Sequence, residues 1–97
     1  MVPRNAYKLT AGTPKNYTFI QQPSKIPFTI AFCSDCSSVI GKGSDNEAFA
    51  PVYIVPAGSV DGGEGMKIGK PGAELWVPMR AEWVEEVKGC VQLQGFA

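Results

Sequence analysis

Eleven glycines and eight prolines are spread through 97 residues, and they break the chain so often that no segment keeps a long, clean helical period. The runs between the breaks are short and rich in Val, Ile, Tyr, Phe and Thr, residue types that fit a half-buried pleated surface. The expected fold class is therefore mainly β, an antiparallel arrangement of short strands and turns with a short helical turn towards the C-terminus. No internal repeat or linker divides the chain, so residues 1–97 read as a single domain, of a size that buries a modest core.

Period-two alternation places the strands. "NAYKLT" (5–10) and "KNYTFI" (15–20), joined by "AGTP", read as an antiparallel hairpin. "PFTIAF" (27–32) leads into a tight pair of cysteines, and "SVI" (38–40) leaves it. "GKGSDNEAFAP" reads as a surface loop, and "PVYIVPAG", bracketed by Pro51 and Pro56, as an edge strand or one cut at both ends. Residues 59–72 hold five glycines and read as a mobile connection. "AELWVPMR" reads as a strand stopped by Pro78, "AEWVEEVKG" as one or two helical turns with Trp83, Val84 and Val87 on an apolar stripe, and "CVQLQGF" as a last short strand. Trp76 and Trp83 read as core residues.

Charge and hydropathy narrow the function classes. Nine basic residues balance nine acidic ones, so no net field draws in phosphate backbones or an anionic lipid surface, and nucleic acid is not an expected partner. No apolar run approaches the roughly 20 residues that span a bilayer, and the N-terminus lacks the apolar region of a signal peptide; the expectation is a cytoplasmic protein with no membrane partner. The absence of histidine removes the usual general base of a nucleophilic triad.

The chemistry that remains centres on "FCSDCSSVIG". Cys33 and Cys36 have the C-x-x-C spacing that lets two thiolates converge on one metal, and a strand on either side would hold the turn rigid. Zinc wants four such ligands, yet the chain has three cysteines and no histidine, and Asp35 sits inside the turn where it is poorly placed. The pair is thus half of a site. The half could be completed by the same pair from a second copy across a two-fold axis, or its metal role could be lost. A redox pair is the other functional reading, but "SSVIGKG" is a poor helix start for supporting a reactive thiolate; the plainest reading makes both residues small, half-buried members of a turn. Away from the cysteines, the one polar and aromatic cluster the residues suggest is Trp76, Trp83, Tyr53 and Arg80, with Glu74 or Asp61 as acid or base.

Taken together, "PRNAYKLTAGTPKNYTF", "FCSDCSSVI", "AGSVD", "KPGAELWVPMRAEW" and "VKGCVQLQGF" resemble the C-terminal portion of the glutathione-dependent formaldehyde-activating (GFA) family. That family includes the centromere protein V domain and belongs to the Mss4-like superfamily. The resemblance implies an Mss4-like antiparallel β fold and carbon–sulfur lyase chemistry on S-(hydroxymethyl)glutathione or a related thiol adduct. It also implies zinc, with Cys33 and Cys36 matching the later C-x-x-C of the family's structural site; Cys90 falls where the family carries a small apolar residue. The family's N-terminal C-x-C, which completes that structural site, and its C-x-C-x-x-C, which holds the catalytic zinc, have no counterpart here, so the expectation is a truncated domain. The alternative is a non-catalytic Mss4-like protein-binding module or an inactive truncated paralogue. An exposed β edge or a shared zinc is expected to support a homodimer.

Overall fold

A computed structural model of the chain describes residues 1–67 and 70–97. The protein is mainly β, its strands are mostly antiparallel, and no α-helix occurs among the described residues. None of their helices is long and apolar enough to cross a membrane. Two compact units, Met1–Met66 and Lys67–Ala97, divide the chain.

The first unit is built on a three-stranded antiparallel sheet in which β2 (Lys15–Gln21) pairs with β3 (Ile26–Phe32) and β3 with β4 (Val39–Gly43). The hairpin thus joins "KNYTFIQ" to "IPFTIAF" and not to the segment before it, a correction of the expected pairing. Its turn is closed by Gln21, whose carbonyl accepts the Lys25 N–H at 2.7 Å and whose side-chain oxygen accepts from Ser24. The expected first strand is absent: β1 is only Val2–Pro3, paired with β5 (Val52–Tyr53), and Arg4–Ala6 turns as a 3₁₀-helix. That turn aims Tyr7 at Tyr53, ring centroids 4.4 Å apart, so the alternation of "NAYKLT" is spent on packing one ring and not on a ladder.

Strand alternation places Phe28, Ile30 and Phe32 on one face of β3 and Pro27, Thr29 and Ala31 on the other. Phe28 is completely buried; Phe19 and Phe49 pack against it at 6.2 and 5.1 Å between centroids, and the Lys42 ammonium lies 4.8 Å over its ring. The opposite face is made of small residues, and this corrects a second expectation. "GKG" is no surface loop: Gly41 and Gly43 are buried in β4, and a Cβ on Gly41 would stand 2.2 Å from the Tyr53 ring. Glycine is a poor strand former, but it is what lets an aromatic ring lie directly on a strand backbone. β5 reaches this strand through Ile54, which exchanges backbone hydrogen bonds with Lys42. The edge or clipped strand expected there is seen, two residues long.

Beyond β5 the chain winds through 3₁₀ turns at Ala57–Ser59 and Asp61–Lys67, with Gly62 and Gly63 at positive φ. The connection expected at 59–72 therefore has local structure over much of its length, while Ile68 and Gly69 lie outside the described residues.

In the second unit β6 (Ala73–Glu74) and β7 (Val91–Gln92) pair in parallel. The long strand expected over "AELWVPMR" ends after two residues because Trp76 takes a left-handed conformation, φ 56°, and Val77–Met79 follows as a 3₁₀ turn around Pro78. Trp76, expected in the core, is half-buried and packs edge-on to Phe96 at 5.2 Å. Trp83, expected alongside it, is 85% exposed. The helical turn expected at 81–89 is a bend closed by the Val84 N–H on the Ala81 carbonyl. With Gly89 at positive φ and no apolar face to dock, so short a segment has nothing to sustain a helix.

Candidate functional site

β3 delivers Cys33 to the end of the sheet, and the shift of register between Ala31 and Phe32 opposite β4 bends the ladder where the cysteine turn begins. The turn is held by backbone: the Cys33 N–H donates to the Ser38 carbonyl and the Ser37 N–H to the Cys33 carbonyl, both at 2.9 Å, with Ser37 at φ 64°. The Asp35 N–H points at the Cys33 sulfur, 3.4 Å away, so Asp35 contributes its backbone to the turn. The Cys36 thiol is exposed and lies 3.2 Å from the Ser38 hydroxyl, which donates to the sulfur once it is ionised. That Ser38 contact, together with the Ser38 backbone and Cys33, holds its pKa below the ordinary thiol value. A thiolate favoured by hydrogen bonds and open to solvent is the protonation state that a metal or an electrophile requires. Leu9, Thr13, Pro14, Asp35 and Ile40 join Cys33 around a small cavity of about 140 Å³ beside the turn. Among the described residues no group of three or more His, Cys, Asp or Glu side chains could hold a metal ion.

The residues proposed as acid, base and aromatic wall are distributed over both units. Tyr53 lies in the first, where burial and then Tyr7 push its hydroxyl above the usual tyrosine range; Asp61 is exposed in the 3₁₀ run. Glu74 and Arg80 meet in the second, as a 3.0 Å ion pair with both side chains largely covered. The same Glu74 oxygen accepts from the Gln92 amide at 2.7 Å and the Val87 N–H at 2.9 Å. Gln92, then Val87, and then Arg80 hold the carboxyl below the ordinary glutamate range against the opposing effect of burial. A carboxylate occupied by three donors ties β6, β7 and the 81–90 bend together. Cys90 is buried beside it, and burial followed by the Glu74 charge raises its pKa, which sets it apart from the exposed pair. Trp83, exposed, walls nothing within its unit, while the Trp76 indole N–H is buried without an acceptor among the described residues.

One feature escaped sequence reasoning. The small-residue face of the sheet carries an open groove of about 450 Å³, floored by Thr18, Thr29 and Gly43 and walled by Tyr53 and Arg4. Arg4 is fixed by the Ser44 carbonyl at 3.1 Å and by Asp45 at 3.3 Å. Ser44, almost fully buried, donates to the Pro27 carbonyl and accepts from Asn46. The signal was the alternation of Gly41 and Gly43 around Lys42, which reads as loop unless the ring that needs the space is known.

Fold and site thus define a small, mainly β protein with a C-x-x-C turn at the end of an antiparallel sheet, its second cysteine exposed. No family model, curated protein or solved structure matches the chain.

Proposed function

We propose that Cys33 and Cys36 hold zinc and that the chain is a GFA-type, zinc-associated protein acting on thiol adducts. The observation that carries the reading is the geometry of the turn: a strand on each side, an amide N–H aimed at the first sulfur and a second, exposed thiol with lowered pKa. Two thiolates so placed fit half of a tetrahedral zinc. When bound, zinc supplies Lewis-acid polarisation and affinity for an incoming sulfur. Cys33 and Cys36 would hold the ion, the Asp35 N–H would stabilise charge on Cys33, and the small cavity lined in part by Leu9 and Ile40 would admit part of a ligand. Carbon–sulfur lyase chemistry on an S-(hydroxymethyl)glutathione-like adduct is the activity the GFA resemblance brings to this site.

A second reading is favoured by ligand count: two chains pooling their cysteine pairs would complete four thiolates. Zinc stoichiometry separates the two, with one ion per chain for a site completed by small ligands and half an ion for a shared one. Elemental analysis after zinc loading and desalting is expected to show metal that is lost in Cys33→Ser and Cys36→Ser and kept in Cys90→Ser. Metal-free wild type, or equal loss in all three variants, overturns the assignment. Formaldehyde–glutathione turnover by the zinc-loaded protein, against the spontaneous rate, tests the activity.

A further inference from the structure

The sheet of the first unit has two unlike edges. β4 is covered, because Lys42 exchanges backbone hydrogen bonds with Ile54. β2 pairs only with β3 among the described residues, so along seven residues its alternate N–H and C=O groups face outward. Proteins usually blunt such an edge with proline, inward charge, a bulge or a very short strand. β2 has none of these: its register against β3 is unbroken from Lys15 to Gln21, its only charge is the terminal Lys15, and Tyr17 and Ile20 are 62% and 54% exposed.

The edge is also complementary to itself. Laid antiparallel on a second β2 with Thr18 on the two-fold axis, all seven residues find partners: Lys15 opposite Gln21, Asn16 opposite Ile20, Tyr17 opposite Phe19, and Thr18 opposite Thr18. No like charges meet, and zero net charge leaves no overall repulsion to oppose contact. Because Thr18 pairs with Thr29 and Phe19 with Phe28 inside each chain, the joined sheet carries continuous rows on both faces. One is Thr29–Thr18–Thr18–Thr29, whose inner bond within a chain is the 2.8 Å contact of the two hydroxyls. The other runs Phe28–Phe19–Tyr17–Ile30, an aromatic and aliphatic row of the kind that stabilises cross-strand pairs.

We propose that the β2 edge is a homodimer interface, pairing antiparallel with the β2 of a second copy of this chain about an axis through Thr18 to form a continuous six-stranded sheet. The two cysteine turns follow β3 next to Lys15 and so fall at opposite ends of the paired strands. At roughly 3.4 Å per residue they begin about 27 Å apart along the strand direction. This dimer therefore shares no zinc, and it stands whether or not the metal reading does.

Sedimentation equilibrium of the full chain from micromolar to millimolar concentration, with and without chelator, is expected to show a dimer that chelation leaves intact. Thr18→Lys and Thr18→Glu each put like charges face to face on the axis and should weaken dimerisation by about tenfold or more. An equimolar mixture of the two variants should restore it, which also establishes that each variant is folded. A wild type that stays monomeric overturns the proposal. So does a dimer that dissociates on chelation, one that persists in Thr18→Lys, or a mixture that gains nothing over either variant alone.

Discussion

Cys36 gives up its proton more readily than an ordinary cysteine because the Ser38 hydroxyl and backbone stabilise the sulfur's charge, whereas Cys90 resists ionisation because it is buried near Glu74. A lower pKa brings the thiolate in at lower pH, so alkylation of Cys36 should reach its half-maximal rate at a lower pH than that of Cys90. Mass spectrometry of iodoacetamide-treated protein across a pH series reads this directly. Ser38→Ala should move the Cys36 profile upward and leave Cys90 where it is; a Cys36 profile unmoved by the substitution would mean that Ser38 is not the cause. The two cysteines were legible in sequence as a pair because their spacing is local. The role of Ser38 was not, since it depends on a turn closed by Cys33 and Ser38 backbone groups that spacing alone does not specify.

At the scale of the element, β4 shows how a strand can be hidden by the residues that make it work. Gly41 lowers strand propensity, yet a Cβ there would drive into the Tyr53 ring. Gly41→Ala should destabilise the protein by about 1–3 kcal/mol through overpacking. Gly58→Ala, where a Cβ would meet nothing within 4 Å, should stay within about 0.5 kcal/mol of wild type. Chemical denaturation of the two variants is the comparison, and equal midpoints would remove the packing argument. Phe28→Ala deletes the one large side chain that is completely buried among the described residues and should cost about 3–5 kcal/mol. β2 and β3 could be read from alternating Phe, Thr and Ile; the pairing partner of β2 could not. Two hairpins compete for "KNYTFI", and the winner is the one whose strand carries Phe28 into contact with Phe19 and Phe49.

For the molecule as a whole, both tryptophans lie in residues 67–97, so indole fluorescence reports the second unit alone. Its polar tie is Glu74, whose carboxyl is held below its ordinary pKa by Gln92, Val87 and Arg80. A depressed carboxylate contributes stability that is fully present above the usual glutamate range and is lost as pH falls through the lowered value. The fluorescence-detected unfolding midpoint should therefore drop on acidification. Glu74→Gln should lower it at neutral pH and flatten its acid dependence, and an unchanged acid slope in that variant would place the sensitivity elsewhere.

By itself the sequence determined that the chain is β, because frequent Gly and Pro exclude long helices and alternating β-branched and aromatic residues favour the pleat. It also determined that the chain carries one C-x-x-C pair, a third cysteine and no histidine, because residues can be counted. Tertiary structure alone decided which strands pair, which glycines are buried under a ring, that Glu74 ties three segments together, and that among the described residues β2 pairs along one edge only. Each of these depends on groups far apart in the chain meeting at a few ångströms, and no local pattern encodes that distance.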